Sequence, residues 1–245
     1  MYDFSLYFRG CIMKQTVYFI CSCTAMLLMV NACKKTDPNA AVPQTKLIVF
    51  NASPDAKSFD VILNGFTTLS NVSYPERTQY LRIAPGTYHL TVPFTNNTDI
   101  KLTDATIDFR SGVNYSLLAV DSASKIKLTL ITDNLKASDT AASVRFFQLS
   151  PNAPYVSLSL NDSVYTGFSF RKFNDEATII SNANFRPQTS GTYTIKAITT
   201  DSSKTVLDSL PNIPLLTRKI YTIYLKGFAG GTGSQKLKLD TIQHN

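Results

Sequence analysis

Two aspartates five residues apart, Asp55 and Asp60, stand in the segment NASPDAKSFDVILNG (Asn51–Gly65), beside a serine-proline turn. Carboxylates so placed could ligate a hard cation, share acid–base work, or accept hydrogen bonds that brace a loop. Calcium takes six to eight oxygens, mostly from closely spaced acids, and two aspartates at this spacing fall short. Ser53-Pro54-Asp55 fits a turn whose acidic side chain accepts nearby backbone N–H groups. Asp60 falls on the polar side of the following strand. The pattern assigns both acids to structure and implies no metal.

The other reactive side chains are sparse. The chain has two histidines, His89 and His244, neither at a metal-ligand spacing nor in a recognisable triad, and no G-x-S-x-G motif. A carboxylate-dependent hydrolase needs two acids facing each other across a cleft, and nothing in the sequence pairs them. The glycine-rich GFAGGTGS (Gly227–Ser234) lacks the Gly-Lys-Ser/Thr that opens a phosphate-binding helix, and reads as a hairpin loop. No catalytic residue and no cofactor is implied. YTGFSFRKF (Tyr165–Phe173) interleaves aromatic and basic residues. Such a patch can stack on sugars and attract anions, which makes Tyr165, Phe168, Arg171, Lys172 and Phe173 the candidate binding edge. The strand-like spacing of Phe168 and Phe170 also fits a core-facing pair.

The N-terminal region carries different chemistry. All four cysteines, Cys11, Cys21, Cys23 and Cys33, lie in the first 33 residues, so the folded part is expected to contain no disulfide. From Met13, an alternative start, one lysine precedes an apolar run, Val17–Val30, followed by Asn31-Ala32-Cys33. That run of about 14 residues is shorter than a membrane span of about 20 and fits a secretory signal. Val30-Asn31-Ala32-Cys33 resembles a bacterial lipobox. Residues 1–32 then form a lipoprotein signal peptide, and Cys33 receives fatty-acyl chains such as palmitate. Residues 33–45, polar and proline-containing, form a flexible tether. Cys33-Lys34-Lys35 followed by Asp37 resembles lipoproteins of Bacteroidetes-type bacteria, which implies a bacterial outer-membrane protein facing the periplasm or the cell surface.

The elements that must position these residues come in two copies. LIVFNASPDAKSFDVILNG (Leu47–Gly65) aligns without a gap with VRFFQLSPNAPYVSLSLND (Val144–Asp162), APGTYHLTV (Ala84–Val92) with TSGTYTIKA (Thr189–Ala197), and VNYSLLAV (Val113–Val120) with KIYTIYLK (Lys219–Lys226). Each copy has the size of an immunoglobulin-like domain. Period-two alternation marks strands in Phe59–Leu63, Thr87–Phe94, Lys125–Leu130 and Val156–Leu160. Ile220–Leu225 is apolar on both faces, as a central strand is. Asn64-Gly65 is a hairpin-turn signal. The reading is all-β: two tandem immunoglobulin-like antiparallel β-sandwich domains, 46–136 and 143–245, joined by a linker at 137–142.

The strings NASPDA…FDVILNG, APGTYHLTV and NYSLLAV resemble the bacterial DUF4397 family, a domain of unknown function. The second copy departs from that pattern at Gln148, Asn152, Ser157 and Asp162, as a diverged repeat would. The resemblance implies an extracytoplasmic β-sandwich, often lipid-anchored, with no known activity. Without Arg9, Lys14 and Asp3 of the signal peptide, the formal net charge falls from +7 to +6, which in that compartment suits anionic glycan or lipid phosphate rather than nucleic acid. The expected function is a non-enzymatic, lipid-anchored binding or structural module. Its expected partners are the membrane, through the anchor, and an anionic glycan or another envelope protein. The alternatives are an accessory glycan-binding lipoprotein of a polysaccharide-uptake system and, more remotely, the hydrolase.

Overall fold

The computed structural model describes residues 43–164 and 166–245. The signal peptide, Cys33 and most of the tether, and Tyr165 of the candidate binding edge, lie outside the described residues.

The first repeat folds into eight strands. β1 (Thr45–Asn51), β4 (Leu81–Ile83), β7 (Asn114–Val120) and β8 (Lys127–Asp133) form one sheet in the order β4-β1-β7-β8. β2 (Phe59–Leu63), β3 (Phe66–Val72), β5 (Gly86–Phe94) and β6 (Asn97–Phe109) form the other, in the order β3-β2-β5-β6. The second repeat repeats the plan. β9 (Ala142–Gln148), β12 (Arg186–Gln188), β15 (Ile220–Lys226) and β16 (Lys238–Gln243) pair as β12-β9-β15-β16. β10 (Val156–Leu160), β11 (Ser163–Val164), β13 (Gly191–Thr199) and β14 (Val206–Leu215) pair as β11-β10-β13-β14. The fold is all-β and sandwiched. Pairings are antiparallel except β1 with β7 and β9 with β15, which run parallel. These parallel pairs put the first and seventh strands of each repeat side by side in the middle of a sheet. β8 ends at Asp133 and β9 begins at Ala142, so the connection between repeats is short.

Alternation along the strands explains the layers. In β2, Phe59, Val61 and Leu63 turn inward and meet Leu47 and Val49 of β1 and Leu117 of β7, closing the first core. Val156, Leu158, Phe146, Ile223 and Leu225 close the equivalent core of the second repeat. The central strands β1, β7, β9 and β15 are buried along nearly their whole length, so a sandwich covers only one of their faces. The other faces meet in a third core. Ile48, Phe50 and Leu118 of the first repeat pack there against Phe147, Leu149 and Tyr224 of the second. Phe50 and Tyr224 touch edge to face, their centroids 4.9 Å apart. Each large apolar side chain buried this way contributes roughly 1.5–3 kcal/mol, enough to make residues 43–245 one compact unit.

The two repeats share hydrogen bonds as well as strand order. Asn64 and Gly65 sit at φ 50° and 81°, Asn161 and Asp162 at 49° and 66°, two turns of the same left-handed kind. The Asn64 side chain accepts from His89 N–H and that of Asn161 from Thr194 N–H, both at 2.8 Å. The Tyr88 hydroxyl donates to the Ala84 carbonyl, and Tyr193 to that of Thr189. Gln148 accepts from Ser150 N–H as Asn51 does from Ser53 N–H. The longer glutamine preserves the bond, so this difference between the copies leaves the turn intact.

Candidate functional site

Asp55 and Asp60 are braces. Asp55 accepts the Ala123 N–H at 2.7 Å, across to the loop after β7 rather than within its own turn. Asn152, its counterpart, accepts the Ala229 N–H at 2.8 Å in the equivalent loop. Asp60 accepts from Asn71 N–H and the Thr95 hydroxyl, and its counterpart Ser157 accepts the Phe170 N–H at 3.1 Å. An amide and a hydroxyl perform the same task, so the negative charge is not what either position needs. Among the described residues, no three of His, Cys, Asp and Glu gather closely enough to hold a metal ion.

The densest polar chemistry lies inside the third core. Arg145 of β9 stands in the run Val144–Phe147 with its side chain 1% exposed, and its Nη1 donates to Asp133 Oδ1 at 2.6 Å. Its Nε donates to Thr222 Oγ1 at 2.7 Å. The guanidinium is sandwiched between the Phe147 and Phe185 rings, 4.3 Å from each centroid. Ser116 and Tyr80 donate their hydroxyls to Asp133 Oδ2. His244 bridges the rest, with Nδ1 2.8 Å from the Tyr80 hydroxyl and Nε2 2.7 Å from the Thr222 hydroxyl. Counting protons assigns the tautomer. Tyr80 spends its proton on Asp133, so His244 Nδ1 carries a proton and donates to Tyr80. Thr222 accepts from Arg145, so its own proton goes to His244 Nε2. His244 is therefore neutral, and burial, with the nearby Arg145 charge, lowers its pKa to about 3. Burial and Asp133 together push the Tyr80 phenol well above its ordinary value.

Strand registers show how this network arose from a duplication. They make Arg145 the counterpart of Ile48, Thr222 of Ser116, Phe185 of Tyr80 and His244 of Asp133. Equivalent positions of the two repeats face each other, and the residues by which the copies differ there, Arg145 against Ile48 and His244 against Asp133, form the network. No motif in the sequence draws attention to Arg145 or Asp133, and His244 stands there at no metal-ligand or triad spacing. The signal available was an arginine inside a strand apolar on both faces, since a buried charge must be paired.

The candidate binding edge does not form one exposed surface. Phe168 is buried in the second core, edge-on to Phe146. Arg171 is buried as well. Its Nε donates to both Asp175 oxygens, at 2.8 and 3.0 Å, and its Nη1 to the Phe146 carbonyl. Isolating a guanidinium from water requires a full set of acceptors, and the turn at Asp175–Ala177 supplies them. Lys172 is exposed and Phe173 half-buried, with the Lys127 ammonium 5.3 Å from the Phe173 ring centroid. Exposed Tyr155 and Phe170 flank the bridge between Val156 and Arg171.

Around these anchors the segment between β11 and β12 packs on β9 of its own repeat and reaches β8 of the first. Two adjoining concavities run down this seam and share Ala177. One is lined by Lys127, Thr129, Lys172, Phe173 and Asn174. The other is lined by Val113, Leu130, Thr132, Glu176, Ile180 and Asn184, among others. Together they make a trough along the whole of β8, basic at the Lys127 end and apolar at Leu130 and Ile180. Glu176 lies beneath it, buried, and its Oε1 has no hydrogen-bond partner. Burial raises its pKa to about 8, against the opposing pull of Arg171, so the acid is mostly protonated at neutral pH.

The fold and site define a class: a tandem β-sandwich body with a buried ion-pair network between its two repeats and a trough along the seam. Residues 45–159 match the model of the family described as "Domain of unknown function (DUF4397)". The match supports the family resemblance over the whole first repeat and continues through β9 into β10. No curated protein matches the chain.

Proposed function

We propose that this chain is a non-catalytic binding or structural module of the bacterial cell envelope, held to the outer membrane by acylated Cys33 and presenting the seam trough to its ligand. The observation that carries the reading is the division of labour among its ionisable groups. Arg145, Asp133, Arg171 and Asp175 are buried and, with the half-buried His244, satisfied within two separate clusters, and Asp55 and Asp60 brace loops. The exposed Lys127 and Lys172 line the trough. Anchoring is tested by Cys33→Ala, which is expected to release the protein from membranes and abolish fatty-acid labelling. Continued labelling would overturn it. Turnover of a polysaccharide by the full chain, lost on a single Asp or Glu change, would overturn the non-catalytic reading.

Exposed Tyr155 and Phe170 beside Lys172 support a second reading, an accessory glycan-binding lipoprotein, because aromatic faces stack on sugar rings. Retention of the chain on an anionic polysaccharide column, lost in Tyr155→Ala/Phe170→Ala, would favour it over the first.

A further inference from the structure

The edge of β8 is open where its counterpart is closed. β8 and β16 are the equivalent outer strands of the two inner sheets, and the registers pair Leu128 with Leu239. The Leu239 N–H points away from β15 and donates to Asp208 of β14 at 2.7 Å. A side chain thus caps the edge of the second repeat. In the first repeat β6 takes the place of β14 and sets Thr103 at the position of Asp208. No hydrogen bond joins Thr103 to Leu128 among the described residues. By the two-residue alternation of a strand, the N–H groups of Leu128, Leu130 and Thr132 share that outward direction.

Unpaired edge groups are a template for another strand, and here they border the trough. The segment Lys172–Asn184 lines the far side of the trough, facing β8. We infer that the trough takes an extended peptide segment of a partner protein, added to β8 as a further strand, with acidic residues at the Lys127/Lys172 end and apolar residues over Leu130 and Ile180. Backbone pairing supplies affinity, and the trough's charge and apolar centre supply selectivity. Lys127 and Lys172 have no acidic partner among the described ion pairs, so they are available to carboxylates. Strand addition therefore places a peptide, rather than a sugar, along β8. The inference rests on the binding-module reading and specifies its ligand class.

The test uses the full chain in detergent and two eight-residue peptides of alternating valine and threonine, one ending in two aspartates and the other in two lysines. The acidic peptide is expected to bind at least about tenfold tighter at low salt. Binding is expected to slow amide exchange at Leu128, Leu130 and Thr132. Both lysines are exposed, so the charge-reversing pair Lys127→Glu/Lys172→Glu leaves the fold intact and is expected to invert the preference. Equal binding of the two peptides, binding without slowed exchange at these three amides, or no binding would each overturn the inference. Slowed exchange around Leu130 and Ile180 with an anionic polysaccharide, but not with either peptide, would overturn the peptide while sustaining a binding module.

Discussion

At the residue scale, two buried acids of this chain have opposite fates. Asp133 is paired from three sides, by Arg145, Ser116 and Tyr80. Glu176 is only grazed by Arg171, with Nη2 to Oε2 at 3.4 Å, and its other oxygen has no partner. Arg145→Met removes the cation and leaves the Asp133 charge buried, and it is expected to cost about 3–5 kcal/mol of stability in urea unfolding. Replacing both partners, Arg145→Met/Asp133→Leu, is expected to recover a large part of that loss. Glu176 gives a pH prediction of unusual sign. Its folded pKa is raised, so between pH 4.5 and about 8 the folded state holds a proton that the unfolded state has released. That difference lowers stability as pH rises through this window. Glu176→Gln keeps the shape without the proton. The variant is expected to match the natural chain at pH 4 and to exceed it by on the order of 1–3 kcal/mol at pH 8. Denaturation midpoints at the two pH values decide this, and an equal gain at both would show that charge is not the cause.

At the scale of elements, turns rather than strand lengths carry the constraints. Gly227, where the chain leaves β15, has φ +84°, and a Cβ there would lie 2.2 Å from the Lys236 carbonyl oxygen. The contact is with backbone, so no side chain can swing aside. Gly227→Ala is expected to cost at least about 2 kcal/mol, read as a lowered melting temperature. At Gly65 a Cβ would meet nothing within 4 Å, and only the positive φ opposes it. Gly65→Ala is therefore expected to cost about 1 kcal/mol. In the glycine-rich stretch, close approach of backbone explains Gly227 and Gly231, and positive φ alone marks Gly230 and Gly233. The strands themselves were legible wherever one face stays wet, as in Phe59–Leu63, because alternation records the difference between faces. β6 was harder to read, since it is exposed along most of its length and no apolar face marks it.

At the scale of the whole molecule, the third core makes the repeats interdependent. A fragment spanning 143–245 would expose Phe147, Leu149 and Tyr224 and strand Arg145 without Asp133. It is expected to aggregate or unfold at a lower temperature than the full chain. Mixed with 43–136, it is expected to regain structure, as followed by circular dichroism and gel filtration. The full chain is expected to unfold in a single transition, because the largest shared interface is itself a core. Two separate transitions would mean that the repeats are autonomous and the third core merely adhesive.

By itself the sequence determined what depends on local pattern and internal comparison. Alternation set the strands that keep one wet face, Asn64-Gly65 set a hairpin, and the echo of one half in the other set the duplicated plan. Even the two-sided apolarity of Ile220–Leu225 was visible, though the sequence did not say what covers the second face. Only the tertiary structure decided that the cover is the other repeat. It therefore also decided that Arg145, Asp133 and His244 meet, that Arg171 turns inward to Asp175, and that β8 keeps an open edge. The reason is physical. A hydrogen bond between residues in different repeats, such as Tyr80 with His244, leaves no period in the chain. It exists only once two apolar faces have packed and brought water-excluded polar groups within 3 Å of each other.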